Sequence, residues 1–439
     1  MHEVAFKMWY LLYNMALVIG APFIVVALFL KKRCRRGFTQ RVGLALPKVG
    51  DPKAEVLWVH AVSMGEVLAI ISFVSAIHKA YPELKIIIST VTETGRESVE
   101  NRLMGIAQHC YLPLDWPWTV RRFIKHVRPK FFIVIETELW PNLLKELHAN
   151  GVSAALVNGR LSTRSFYRYL HVKSFMKEVL GCFNLCLVQS DRDAQRMIEL
   201  GANPEHVHRT GNMKFDIELA VLDGQSKPVT FELLGLHPYE ALVVAGSTHS
   251  KEEGVLLSSY KEILSIHANV VLLIAPRHIE RSDEVVETIK SFGFEAVRRS
   301  TIEDNGKRLL SKNGKARVIL LDTRGELASV YALAKVTFVG GTFVPVGGHN
   351  LLEPASWGKP VLFGPFTDHC QEIANLLLES KGGKKVRDAS EMASLIVSIL
   401  DDEDLACRMG RSARQVVLEN QGVVKRNVEL LQLLLQSQS

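Results

Sequence analysis

The chain has 439 residues, 47% of them hydrophobic and 23% charged, and a formal net charge of +7. That length exceeds one ordinary domain, and the composition excludes a disordered or low-complexity chain. The charge does not mark a nucleic-acid binder: Lys31, Lys32, Arg33, Arg35 and Arg36 crowd into six positions, and the first 36 residues hold +5 of the total.

The first predicted element is an anchor. Residues 8–30, MWYLLYNMALVIGAPFIVVALFL, carry no charge, and a helix of about 23 apolar residues is long enough to cross a bilayer. The basic cluster follows the run, whereas a signal peptide places its charges first. This order keeps the body cytoplasmic by the positive-inside rule, with the basic collar against anionic head groups. Pro22 with Trp9, Tyr10 and Tyr13 leaves a second geometry open, a helix dipping into one leaflet.

After Pro47, short β-branched runs alternate with amphipathic stretches. VLWVH (56–60) leads to a helix near 66–80, and KIIIST (85–90) to one near 95–105. FFIVIE (131–136), SAALVN (153–158) and NLCLVQS (184–190) complete a first parallel βα series. A second holds LVVAGS (242–247), VVLLIAP (270–276), ARVILLD (316–322), KVTFVGG (335–341) and KPVLFG (359–364), after a polar, proline-containing stretch around 222–230. The expected class is α/β, two Rossmann-like doubly wound domains facing a cleft. The expected division is 1–36 for the anchor and collar, 37–221 for the acceptor domain and 222–439 for the nucleotide-sugar domain. Ligands in such sheets meet the carboxyl ends of the strands, and the informative residues fall there.

In VSMGE (62–66), Gly65 allows a tight turn and Glu66 opens a helix. Glu66 either complements the helix dipole or serves as a general base. In ETELWPN (136–142), Glu136 and Glu138 are two apart, so a continuing strand would turn only one toward the cleft. In GNMKFD (211–216), Lys214 is either a solvated lysine or a cleft cation. Ser247 and Thr248 in AGSTHSKEE (245–253) suit phosphate at a helix start or an ordinary cap. Arg277 in APRHIER (275–281) can clamp phosphate bidentately. DTRGEL (322–327) is a strand-to-helix turn that suits a nucleotide. GGTFVPVGGHNLLEPASWGKP (340–360) is the strongest signal, a glycine-rich loop followed by His349, Asn350 and Glu353, with amides for phosphate and a carboxylate for ribose. Asp191-Arg192-Asp193 in SDRDAQ looks like a DxD metal motif but opens a helix, where Ser190 or an Asp is an ordinary cap. Cys182 and Cys186 would share a helix face, with no second pair at zinc spacing. No metal and no cofactor are expected, because Lys214, Arg277 and helix ends can stabilise a phosphate leaving group.

Taken in order, SMGE, ETELWPN, GNMKFD, GSTH, APRH, GEL and GGHNLLEP resemble the bacterial Kdo (3-deoxy-D-manno-octulosonic acid) transferases over nearly the whole chain. The resemblance implies a GT-B fold whose last helix returns to the first domain, and a CMP-Kdo donor bound mainly by the second. It implies a tetraacyl lipid A precursor as acceptor, at the cytoplasmic face of the inner membrane. Glu66 matches the general base, with Ser63, Gly65 and Glu138 on the acceptor side. Glu136 and Lys214 match positions that stabilise the transition state. Pro276 and Arg277, Arg324, Gly325 and Glu326, and Asn350, Leu351, Leu352 and Glu353 match the CMP-contacting segments. Ser247, Thr248, Gly347 and Gly348 are the remaining nucleotide-side candidates. Two departures stand out. Position 324 is Arg where Met is expected, and SKEE after GSTH is less acidic than in relatives, a change expected to matter little. Two other functions fit the same folds: a GT-B transferase using a different sugar nucleotide, and a non-catalytic membrane-tethered binding protein.

Overall fold

A computed structural model describes residues 2–30, 36–49, 54–216, 229–302 and 316–436. Lys31, Lys32, Arg33 and Arg35 of the basic collar, and residues 222–228 of the interdomain stretch, lie outside the described residues. The chain forms two compact units, Met1–Asp216 with Gly422–Ser439, and Ile217–Gln421.

The first unit is built on strands β1 (Val56–His60), β2 (Lys85–Thr90), β3 (Ala107–Tyr111), β4 (Pro129–Ile135), β5 (Ser153–Gly159), β6 (Leu185–Val188) and β7 (Val207–Arg209). They form one parallel sheet in the order β3-β2-β1-β4-β5-β6-β7. Every residue of β1 and β5 is buried, which is why these strands read as unbroken apolar runs rather than as alternation. Helices cover both faces. Trp58, Phe123 and Phe132 fill one side, and Val67, Ile70, Phe73 and Ile77 of the helix Met64–Ala80 fill the other. The final helix, Val423–Gln436, joins that second face through Val423, Leu431 and Leu435. Asp216 holds its start, accepting hydrogen bonds from the N–H groups of Gly422 (2.6 Å) and Val424 (2.5 Å).

The second unit repeats the plan with β8 (Ala241–Thr248), β9 (Val270–Pro276), β10 (Glu295–Arg298), β11 (Arg317–Leu320), β12 (Val336–Val339), β13 (Val361–Phe363) and β14 (Gly383–Lys385). Their order is β10-β11-β9-β8-β12-β13-β14, again all parallel. Each sheet reverses its winding once, between β1 and β4 in the first and between β8 and β12 in the second. A doubly wound sheet binds ligands at such switch points.

The N-terminal helix runs from His2 to Leu30 with Pro22 inside it. Its segment Phe6–Val26 is long and apolar enough to cross a membrane. The predicted pairing of Cys182 and Cys186 on one helix does not occur. Cys182 follows the helix Lys173–Leu180 in a turn and Cys186 lies inside β6, so the two never share a helical face.

Candidate active site

In the first unit the candidate residues gather where β1 and β4 end. Ser63 is the N-cap of the helix Met64–Ala80, and Glu66 stands in its first turn. The Glu66 carboxylate folds back over the turn, accepting from the Val62 N–H (2.7 Å) and the Ser63 hydroxyl (3.0 Å). This is a local capping geometry, and it fixes the orientation of the acid. Burial pushes the Glu66 carboxyl above the ordinary carboxylate range. The Val62 hydrogen bond draws it down, the nearby Glu136 charge pushes it up, and Lys214 draws it down. Gly65 is not needed for a turn: its φ is negative, and an added Cβ would meet only the Ser63 hydroxyl at 3.9 Å. What the glycine leaves is open space beside Glu66.

The strand does not continue through Glu136 and Glu138, so the alternation expected of them does not apply. The strand stops at Ile135, and Glu136 takes a left-handed backbone, φ 58°. Beyond that break the three acids act on one another through their charges, Glu136 on Glu66 and both on Glu138. Burial, followed by the charges of Glu66 and Glu136, pushes the Glu138 carboxyl up to about 7. Left-handed non-glycine residues cost about 1–3 kcal/mol and concentrate at functional sites. Asn158 closes β5 with the same strain, φ 58°, and Ser247 lies near the end of β8 at φ 57°.

A buried amide chain holds Lys214. Asn158 accepts from the Met213 N–H (3.0 Å), Gln189 donates to the Asn158 carbonyl (3.0 Å), and Asn212 donates to Gln189 (3.2 Å). Asn212 also caps the short turn Met213–Phe215 by accepting from the Lys214 N–H. Asn212 reads in the sequence as a turn residue only, and Asn158 and Gln189 are not marked by any motif; an Asn or Gln at the end of an apolar strand is the available signal. Ser190 caps the helix Asp191–Glu199, and buried Asp193 accepts from the Leu161 N–H (2.8 Å).

In the second unit the glycine-rich loop follows β12 and meets the end of β8. A Cβ on Gly340 would come within 2.5 Å of the Ser247 carbonyl, so only glycine lets the two segments touch. Gly347 and Gly348 have φ of 99° and 85°, which glycine adopts without strain. The loop is held by an acid that the sequence reading passed over. Glu252 is fully buried. Its Oε1 accepts from the Thr342 (3.0 Å) and Phe343 (2.8 Å) N–H groups, and its Oε2 from those of Gly341 (2.7 Å) and His249 (2.8 Å). Two acids of the SKEE stretch are structural: Glu252 staples the loop, and Glu253 is buried against Arg281 at 3.0 Å.

Thr248 departs from its predicted role, because it is buried and its hydroxyl donates to Glu253 (2.9 Å). Leu351 and Leu352 are also fully buried, so their side chains belong to the core and only their backbone can meet a ligand. Glu326 bonds Arg299 (3.1 Å) and the Thr323 hydroxyl. Arg324 is exposed and sits 3.4 Å from Glu280. Gly325, φ 84°, leaves open space. Ser247 is partly exposed, and Pro276 is buried at the end of β9. Asn350 donates to Glu353 (3.2 Å) and accepts from the Leu352 N–H (3.1 Å).

Arg277 is exposed at the end of β9, with no ion pair among the described residues. Around it stand histidines that sequence reading did not group. His249 Nε2 lies 2.7 Å from His349 Nε2, with the rings parallel to within 4°. His278 stands edge-on to His249 at 5.8 Å, and the His369 ring covers Gly347. Burial, then the charges of His249, Arg277, His369 and His278, push His349 down to about 4. Burial raises the Glu353 carboxyl, and Asn350 and Arg277 draw it down. The result is a glycine-rich loop and a group of histidine rings around the exposed Arg277 guanidinium, suited to an anion carrying hydroxyl groups.

Residues 36–217 match the family model described as 3-Deoxy-D-manno-octulosonic-acid transferase (kdotransferase). The chain is 33% identical to the 3-deoxy-D-manno-octulosonic acid transferase of Haemophilus influenzae, over 97% of this chain and 98% of that protein. Among solved structures, a glycosyltransferase from Rickettsia africae superposes with a TM-score of 0.54 at 14% identity, over 87% of this chain and 98% of that one. The UDP-GlcNAc 2-epimerase of Neisseria meningitidis superposes with a TM-score of 0.57 at 13% identity, over 86% of this chain and 99% of that one. These two likenesses establish the GT-B-like fold; the sequence match establishes the lineage. The chain belongs to the Kdo transferase family, and is a glycosyltransferase.

Proposed function

We propose that the chain moves Kdo from CMP-Kdo to a hydroxyl of a tetraacyl lipid A precursor, at the cytoplasmic face of a bacterial inner membrane, with Glu66 as general base. The observation that carries this reading is the carboxylate cluster at the first sheet's switch point. There Glu66 is oriented by Val62 and Ser63, and burial and Glu136 make it more basic than an exposed acid. A base whose pKa approaches the working pH is the more effective one. Glu66 takes the proton of the acceptor hydroxyl, and the resulting oxygen attacks the anomeric carbon. The bond from that carbon to the CMP phosphate breaks, and CMP departs with its electrons. One displacement inverts the anomeric centre.

The second unit holds the donor in this reading. Arg277 and the Gly347 amide meet the phosphate, with Gly348 letting the backbone approach, and Asn350 and Glu353 meet ribose hydroxyls. Lys214 and Glu136 balance charge as the bond breaks. The apolar helix and the basic collar suit a lipid acceptor, which never leaves the membrane. The test is product analysis in detergent with EDTA present. CMP-Kdo and the lipid precursor should give a lipid heavier by Kdo, inverted at the anomeric carbon, whereas UDP- and ADP-sugars give none. A retained configuration would exclude the single displacement. Transfer from another sugar nucleotide alone would exclude the donor.

A further inference from the structure

The N-terminal helix does not stand away from the body of the first unit. The Phe6 ring stacks on Phe175 with centroids 6.0 Å apart, and the Lys145 ammonium lies 3.8 Å from the Tyr10 ring centre. The Tyr13 hydroxyl donates to Asp115 (2.8 Å), and the Asn14 side chain accepts from Asn142 (2.9 Å). Asp115 is itself buried and fixed by the N–H groups of Asn142 (2.9 Å) and Leu143 (2.7 Å). Farther along, Leu17, Val18 and Ala21 line an apolar groove of about 280 Å³ with Trp116, Pro117 and Trp118. Contact therefore runs from Phe6 to Ala21, about 22 Å of helix at 1.5 Å per residue.

The other face is bare. Leu11, Met15, Ile19, Phe23, Val26 and Leu30 follow one another at spacings of four or three and are 49–74% exposed, so they form one straight apolar stripe. Trp118, which shares the groove with Val18, is half exposed. Arg121, Arg122 and Lys125 follow it at three, four and seven positions on the helix Pro117–Val127, and all three are exposed. Tryptophan beside a basic face is the chemistry of a bilayer surface with anionic head groups.

These contacts are incompatible with a crossing helix. Crossing would separate Phe6 from Val26 by about 30 Å along the membrane normal, while the partners of Phe6, Tyr10, Tyr13 and Asn14 remain on the body. Asp115, Asn142 and Lys145 would then sit within the hydrocarbon, where charged side chains are strongly disfavoured. We propose that the helix is an in-plane anchor: its stripe lies in one leaflet of an anionic bilayer, its inner face stays docked on Asp115 and Asn142, and its two ends are on the same side of the membrane. This proposal rests on the membrane location given under Proposed function.

The test uses the full chain in sealed membrane vesicles of the cells that express it. Exposed Cys407 reports the side on which the body lies. A Lys7→Cys substitution in a Cys34→Ser background reports the helix start, with a membrane-impermeant maleimide as probe. The expected result is that positions 7 and 407 label together without lysis. Labelling at 407 with position 7 protected until the vesicles are lysed would overturn the proposal. As a second measurement, Asn14→Cys with Asn142→Cys should form an intramolecular disulfide on oxidation in the membrane. A cross-link that forms in detergent and not in vesicles would overturn the docking. Protein that fails to float with vesicles at all would overturn the membrane reading itself, and is distinguished by that flotation step.

Discussion

Glu252→Gln changes one atom of a fully buried side chain and should dismantle the glycine-rich loop. The carboxylate accepts four backbone N–H groups, two at each oxygen. Glutamine keeps one oxygen and presents an NH2 where the other stood. In either flip, that NH2 faces two N–H donors, so two bonds are lost and become donor–donor contacts. Hydrogen bonds to a charged group contribute about 1.5–3 kcal/mol each, which places the cost at about 3–6 kcal/mol. Because the loop carries Gly347 and Gly348, nucleotide binding should fall with stability. Denaturant unfolding followed by tryptophan fluorescence, since Trp357 belongs to this unit, and CMP titration calorimetry read the two effects. A loss below about 1 kcal/mol with unchanged CMP affinity would refute the reasoning, because it would show that the loop keeps its shape without the acid.

The carboxylate cluster predicts a pH dependence. The Glu138 carboxyl is raised from 4.5 to about 7, so its contribution to stability is fully present below pH 4.5 and is lost as pH rises through 7. At about 1.4 kcal/mol per unit the full shift is about 3 kcal/mol, and partial exposure reduces it to about 2. Wild-type stability should thus fall by about 2 kcal/mol more than that of Glu138→Gln between pH 5 and pH 8, as read by thermal unfolding across that range. Arg281→Met should leave the Glu253 carboxylate buried with, among the described residues, only the Thr248 hydroxyl as partner. That loss costs about 3–5 kcal/mol, and Arg281→Lys should recover part of it in the same unfolding assay.

The interior of both sheets was legible in the sequence and the edges were not. Every predicted strand core, such as KIIIST and VVLLIAP, is an interior strand whose burial forces a continuous apolar run. The four unpredicted strands, β3, β7, β10 and β14, are the four sheet edges. AQHCY, VHR, EAVR and GKK are short and half exposed, so they carry no such run. Edge strands are kept short and polar in this way to discourage pairing with other chains.

Motif positions were legible for a related reason: the strand ends could be located, and functional residues collect there. What the sequence could not reveal were partnerships across long separations. Glu252 finds the loop amides 89–91 positions later, and His249 meets His349 across 100. Nor could it show that Glu136 leaves the strand through a left-handed residue. That one backbone choice removes the strand alternation on which the reading of Glu136 and Glu138 depended.

The most direct test of the account is the turnover of Glu66→Gln against wild type, measured as lipid-dependent CMP release from CMP-Kdo, with CMP affinity determined alongside. The side chain keeps its size and can still accept from the Val62 N–H, but it cannot take a proton. The account predicts a loss in kcat of about 10²–10⁴-fold with CMP affinity unchanged. Turnover within a few-fold of wild type would contradict the assignment of Glu66 as the base.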